Sequence, residues 1–116
     1  MRGDPIHMEV DSSNASAGVV FTLYKAGQLS PFALAANQYI DVTDIILIST
    51  VGGAYDILAA ASDAAGARIA KGSAAALGGL AHHFEVPYTC PVGVTPRLIA
   101  DAGQVTCVLQ GFVTEV

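Results

Sequence analysis

The sequence has few charged residues and contains no tryptophan. Only 13% of its 116 residues are charged, and ten Asp and Glu against five Lys and Arg give a net charge of −5. Proteins that bind nucleic acid need clustered cations to contact the phosphates. Here the five cations are scattered along the chain, so the sequence predicts no nucleic acid partner.

Long apolar runs are also missing, although 53% of the residues are hydrophobic. A membrane-spanning helix needs about 20 consecutive apolar residues, and Asp56, Asp63, Arg68 and Lys71 interrupt the alanine-rich middle. The first residues lack the apolar stretch of a signal peptide. We therefore expect no membrane contact. Because so apolar a chain carries so few charges, we expect other copies to cover part of its surface in a homo-oligomer.

Residue groupings that indicate catalysis or metal binding are absent from the sequence. It has no Gly-x-Ser-x-Gly motif, and the adjacent His82 and His83 would point to opposite faces of a strand. Two cysteines, Cys90 and Cys107, are too few for a metal site. Buried free thiols are the favoured state of this pair, and a disulfide between them stays open. The sequence predicts no catalytic residue, no metal site and no cofactor, so we expect a protein that is not an enzyme.

One segment, residues 38–50, is rich in β-branched side chains and predicts a long strand. Its first half alternates, with Tyr39, Asp41 and Thr43 on one side and Ile40, Val42 and Asp44 on the other. Residues 45–48 are apolar on both faces. This pattern is typical of a strand that begins at the border of a sheet and ends inside a core. We expect Ile46 to lie in that core, between two sheets.

Further short strands are separated by turn-forming residues. They are predicted at residues 19–24, 79–86, 96–100 and 104–113, with turns at 25–28 and 101–103. Along the last strand, Val105, Cys107 and Leu109 share one face. About eight strands at this spacing predict an all-β domain over residues 19–116, a two-sheet β-sandwich or jelly roll.

Residues 54–81 allow two interpretations. Their alanine content favours a helix. Asp63 and Gly66, however, occupy the first and last positions of a four-residue turn, and residues 67–71 alternate between polar and apolar. We favour a hairpin in which Gly66 has a positive φ, followed by a small-residue loop at 73–79; the helix remains the alternative.

Residues 1–18 predict an extended N-terminal arm with a linker. Ile6, Met8 and Val10 alternate with polar residues, and the small, polar residues 11–18 that follow are typical of a flexible connector. We expect this arm to be mobile in the isolated subunit and to add a strand to the sheet of a partner. Ile6, Met8 and Val10 would then be the partner-binding residues.

Four segments carry a resemblance to a known group of proteins: residues 40–45 (Ile-Asp-Val-Thr-Asp-Ile), 84–87 (Phe-Glu-Val-Pro), Gly93 and 110–113 (Gln-Gly-Phe-Val). With these segments the chain resembles the small jelly-roll capsid decoration, or cement, proteins of tailed bacteriophages, and the resemblance covers about residues 36–113. The resemblance implies no catalytic residues. It implies a virion structural protein on the capsid surface, made in the host cytoplasm, which binds the major capsid protein and stabilises the coat lattice.

The expected function is therefore that of a capsid decoration subunit, assembled as a homo-oligomer for which a trimer is favoured over a dimer. Two alternatives stay open. The chain could be a fibre-tip or receptor-binding module that contacts a host glycan or protein, with the loop at 74–78 in contact, or a jelly roll that binds a small ligand or catalyses a reaction.

Overall fold

A computed structural model describes residues 3–12, 18–50, 52–60, 68–100 and 104–116. The described residues form nine β-strands and no helix. The strands are β1 (Asp4–Ser12), β2 (Val19–Val20), β3 (Thr22–Lys25), β4 (Gln38–Ser49), β5 (Gly53–Leu58), β6 (Arg68–Ala74), β7 (Gly78–Thr89), β8 (Arg97–Ala100) and β9 (Val105–Glu115).

The strands form two antiparallel sheets. One has five strands in the order β3-β1-β9-β4-β7, and the other has four in the order β2-β8-β5-β6. The pairs are nested along the chain, since β1 pairs with β9, β2 with β8, β4 with β7 and β5 with β6. This nested pairing is that of a jelly roll. β3 is an additional strand at the edge of the five-stranded sheet. The predicted all-β, two-sheet sandwich is confirmed.

One hydrophobic cluster joins the two sheets. In the five-stranded sheet, Met8, Leu109 and Ile45 lie side by side on β1, β9 and β4, and they pack in one cluster with Ile57 and Leu98 of the other sheet. All five side chains are fully buried. The predicted inward face of the last strand, Val105, Cys107 and Leu109, is confirmed because all three are buried.

Both cysteines are buried and free, which is the alternative that the sequence favoured. Cys107 lies on β9, and Cys90 follows the end of β7. Burial raises the pKa of each thiol to about 12, so both stay protonated near neutral pH. Because the thiolate is the nucleophile, we expect both to be unreactive in the folded protein.

The predicted central strand is present, but the expectation for Ile46 is wrong. Ile46 is 44% exposed, whereas its neighbours Ile45 and Leu47 are buried. The pairing register of β4 shifts between Val42 and Asp44 against both neighbouring strands. A bulge adds one residue to a strand, so burial passes from even-numbered to odd-numbered positions and Ile46 turns outward.

The expectation of an N-terminal arm also needs correction. Asp4–Ser12 is an interior strand, β1, which pairs with β3 on one side and β9 on the other. Ile6, Met8 and Val10 are each at most 4% exposed and belong to the core of their own chain. Their burial against β9, about 100 residues later in the chain, is a long-range contact that local patterning does not show. The sandwich therefore includes β1, and its start is not at residue 19.

The hairpin expected in residues 54–81 is confirmed, because β5 and β6 pair antiparallel. The Asp63–Gly66 turn itself and the turn at 101–103 lie outside the described residues. The small-residue loop is shorter than predicted, since β6 continues to Ala74 and β7 begins at Gly78. The single strand expected at 19–24 is two strands, because β2 belongs to the four-stranded sheet and β3 to the other.

Candidate ligand cleft on the five-stranded sheet

A row of polar and aromatic side chains crosses the outer face of the five-stranded sheet. Residues directly opposite one another on neighbouring strands project to the same face. The register places one residue of each strand in the row, in the order Tyr24, His7, Gln110, Asp44 and His83. The sheet thus brings together residues from five separate places in the chain.

The bulge in β4 lies beside this row and shapes the neighbouring edge strand. Val42 pairs with Tyr88 and Asp44 pairs with His83, so four residues of β7 face the single residue Thr43. These four residues, 84–87, are named here the β7 arch. Bulges occur preferentially beside functional sites, where they redirect side chains. The β7 arch likewise lies directly beside the polar row.

All residues of the row except Tyr24, and all residues of the arch except Val86, line an open cleft of about 640 Å³, named here the outer-face cleft. Its floor is formed by Thr43 and residues 110–112, and the β7 arch forms one wall. The opposite wall consists of Pro5 and the turn at Ala26 and Gly27. Gly27 has a φ of 77°, a left-handed conformation that glycine adopts without a Cβ clash, and so permits the predicted tight turn after β3.

Asp44 has the most defined environment in the cleft. Its Oδ1 lies 2.7 Å from Nδ1 of His83, and Oδ2 accepts a hydrogen bond of 2.9 Å from the Thr43 hydroxyl. The same hydroxyl lies 3.1 Å from the Gln110 carbonyl oxygen. The hydrogen bonds from His83 and Thr43 stabilise the ionised carboxylate and lower the pKa of Asp44 below its ordinary value.

The opposite end of the row is aromatic. The imidazole of His7 is stacked on the Tyr24 ring, with 5.0 Å between the ring centroids and 12° between the planes. Nε2 of His7 lies 3.9 Å from Oε2 of Glu9. This stacking orients His7, which lines the cleft beside Pro5.

The cleft offers hydrogen bonds and apolar contacts but no activated nucleophile. The Thr43 hydroxyl contacts the Asp44 carboxylate, whereas nucleophilic catalysis would place it against the His83 imidazole, the general base. Within the described ranges, no three His, Cys, Asp or Glu side chains come close enough to hold a metal ion. The arrangement is suited to binding a ligand.

The residues predicted from sequence to bind a partner do not contribute a surface. Ile6, Met8 and Val10 are buried, and of the three only Ile6 is among the residues that line the cleft. His82 and His83 project to opposite faces as predicted: His82 contacts the Phe84 ring edge-on, and His83 joins the polar row. Sequence reasoning missed Gln110 and the pairing of Asp44 with His83.

A second surface lies next to the cleft on the same face. Ile46 and Ile48 are 44% and 56% exposed. In the register, Ile46 stands between Val108 of β9 and Ala81 of β7. These four residues are named here the isoleucine surface.

No family model matches the chain, and no curated protein or solved structure shows significant similarity to it. The described part of the chain contains no helix long and apolar enough to cross a membrane.

Proposed function

We propose that the chain is a non-enzymatic virion structural protein, a capsid decoration subunit that works as a homo-oligomer. It binds the major capsid protein and stabilises the coat lattice. The observation that carries this proposal is the isoleucine surface, which lies directly beside the edge strand β7.

The isoleucine surface has the character of a contact surface. Exposed isoleucines are common singly, but neighbouring ones on the same face of a sheet form an apolar patch that water solvates poorly. Contact with another protein would remove this patch from water, at about 25 cal/mol per Å² of apolar area. Because only 13% of the residues are charged, electrostatic repulsion does little to prevent such a patch from contacting other apolar surfaces.

The edge strand β7 adds backbone groups to this surface. Among the described strands β7 pairs only with β4, and none of its twelve residues is buried. Edge strands with free N–H and C=O groups are templates for pairing with another chain. Strand addition along β7 would bring the partner next to Ile46 and Ile48.

This surface replaces the N-terminal arm as the route to the coat. Ile6, Met8 and Val10 are part of the core. We therefore assign the contacts with the coat protein to the isoleucine surface and β7. The expected assembly remains a trimer rather than a dimer. Its expected place is the outer surface of the capsid, after synthesis in the host cytoplasm.

The test is a pair of charge substitutions, Ile46→Asp combined with Ile48→Asp. Both side chains are partly solvated, so we expect the double variant to fold with a cooperative thermal transition. We expect it to sediment as a monomer where the native chain forms an oligomer. It should also fail to co-sediment with purified capsids that bind the native chain.

Leu29→Asp is the matched control. Leu29 is 97% exposed, and it follows β3, at the opposite edge of the sheet from β7. This variant should assemble and bind capsids as the native chain does. An unchanged oligomer and unchanged capsid binding in the Ile46→Asp, Ile48→Asp variant would remove the isoleucine surface from the proposal, and a native chain that never binds capsids would overturn the decoration function itself.

A further inference from the structure

The outer-face cleft is not needed for the proposed structural function, yet it has the features of a ligand site. We propose that it binds a neutral saccharide, with Gln110 and Asp44 as hydrogen-bonding residues and Phe112, Pro5 and Pro87 as apolar contacts. This inference is independent of capsid decoration, because it concerns a different set of residues.

The charges in the cleft exclude anionic ligands. Asp44 and Glu85 both line it, and none of its lining residues is Lys or Arg. A phosphate or carboxylate would meet two carboxylates without a compensating cation, which is unfavourable by Coulomb's law. Sugar phosphates and sialic acids are therefore poor candidates, whereas uncharged ligands meet no such repulsion.

The hydrogen-bonding groups are suited to hydroxyls. A sugar hydroxyl both donates and accepts, so it is matched by sites that offer both functions. The Gln110 amide supplies a donor and an acceptor, and the Asp44 carboxylate supplies acceptors. His83 and Thr43 hold Asp44 in place with bonds of 2.7 and 2.9 Å, so little ordering of this group is needed on binding.

Apolar groups complete the match with a saccharide. Phe112 lines the cleft together with Pro5 and Pro87, whereas the Phe84 ring packs against the core and His82. The C–H face of a sugar ring is apolar and gains from contact with such side chains, while its rim of hydroxyls meets the polar row. A volume of about 640 Å³ lies in the usual range of roughly 300 to 1,000 Å³ for small-molecule sites and accommodates a mono- or disaccharide.

The cleft is open to solvent, so we expect weak binding of single sugars, with Kd near roughly 1 mM. The test is nuclear magnetic resonance titration of the full chain with methyl α-D-glucoside, methyl α-D-galactoside, methyl α-D-mannoside and lactose. Sialic acid, glucose 6-phosphate and choline serve as anionic and cationic probes. We expect at least one neutral sugar to shift the resonances of Gln110 and His83, with no comparable shift from the charged probes.

Gln110→Ala should weaken that binding at least tenfold, because it removes the amide from the floor of the cleft. Gln28→Ala is the matched control: Gln28 is exposed and does not line the cleft, so its loss should leave the affinity unchanged. Both glutamines are exposed, and circular dichroism will confirm that both variants keep the native β signal.

Three results would overturn the inference. The first is that no neutral sugar in the panel shifts the cleft resonances at a sugar concentration roughly tenfold above the expected Kd. The second is stronger binding of a charged probe than of every neutral sugar. The third is equal affinity in Gln110→Ala and Gln28→Ala. Gln110 lies outside the isoleucine surface. A variant that loses sugar binding but binds capsids normally would therefore leave the structural function intact. A variant that loses capsid binding but binds sugar normally would leave the ligand site intact.

Discussion

Strands β9 and β7 are both paired with β4 in the same sheet, and they differ completely in burial. Every second residue of β9 from Val105 to Val113 is buried, whereas no residue of β7 is. β9 lies between β1 and β4, whereas among the strands that the structure describes β7 pairs only with β4. Its position at the edge, more than its composition, keeps Leu80 and Phe84 partly in water.

This difference divides the sheet into a half that supplies stability and a half that supplies contact surfaces. The fully buried side chains Met8, Leu109 and Ile45 belong to β1, β9 and β4. The β7 arch, His83 and Ala81 belong to the proposed ligand cleft and to the isoleucine surface. Substitutions in the two halves should therefore have very different effects on folding.

The largest effect is expected from deletion of residues 1–12. Removal of β1 turns β9 into an edge strand and exposes the side chains that Ile6, Met8 and Val10 cover. Burial of these three residues alone contributes about 1.5 to 3 kcal/mol each, against a total stability of roughly 5 to 15 kcal/mol. We expect the truncated chain to lack a cooperative thermal transition in calorimetry.

The full-length chain measured in parallel is the reference for that experiment. A truncated chain that melts cooperatively, within a few degrees of the reference, would show that β1 is dispensable. It would also restore residues 1–18 as an arm outside the fold.

A smaller effect separates β9 and β7 directly. Leu109→Ala removes a fully buried side chain from β9 and should lower the free energy of unfolding by about 2 to 5 kcal/mol. The same change at Leu80 of β7, which is partly exposed, should cost less than about 1.5 kcal/mol. Urea denaturation of both variants gives the two values, and equal losses would contradict the division between the strands.

The smallest effect concerns the link between β4 and β7. Asp44→Asn weakens the bonds to His83 and Thr43, and because the His83 side chain is 70% exposed we expect a loss of at most about 1 kcal/mol at pH 7. The pKa of Asp44 is lowered in the folded state, so its contribution exists above the ordinary value of 3.8 and is lost as the pH falls through the folded value. The difference in stability between native chain and variant should thus vanish in acid.

Asp4→Asn, which removes one exposed carboxylate outside the polar row, controls for the change in net charge. Urea denaturation at several pH values between 2 and 7 measures the dependence. A difference between the native chain and Asp44→Asn that stays constant over this range would show that the ionised carboxylate does not contribute through these bonds.

Local patterns were enough to predict most strands. The alternation of Val105, Cys107 and Leu109 predicted an inward face because β9 keeps one phase along its whole length. The hairpin of β5 and β6 was predicted from turn residues between two alternating segments. In both cases the information lies within about 15 residues, and neighbouring residues dominate local conformation.

The errors arose where burial depends on distant partners. Nothing near Ile6 or Met8 in the sequence shows that β9 will pair with them, so the local pattern predicts an arm. For Ile46 the prediction is wrong because it continues the alternation of β4 through the bulge. One signal for the bulge was present: the polar pair Thr43 and Asp44 separates two apolar series of opposite phase.

The cleft was harder to predict, because its residues come together only through the sheet register. Tyr24, His7, Gln110, Asp44 and His83 come from five strands, and each looks ordinary in its local sequence. Their common feature is a position on the outward face, and for Asp44 that position follows from the bulge. Assignment of the register is thus a precondition for recognising the site.

The bulge in β4 has a consequence at the level of the gene. Val42 and Ile45 are buried with two residues between them, so the deletion of one codon, for Thr43, would return the strand to strict alternation without moving a core side chain to the surface. Asp44 would stay opposite Gln110 in that shortened strand, because Thr43 is the extra residue in the register. The codon supplies the Thr43 hydroxyl, which donates a hydrogen bond to the Asp44 carboxylate. A core strand can therefore acquire or lose a group that orients the carboxylate of this cleft by a single in-frame insertion or deletion.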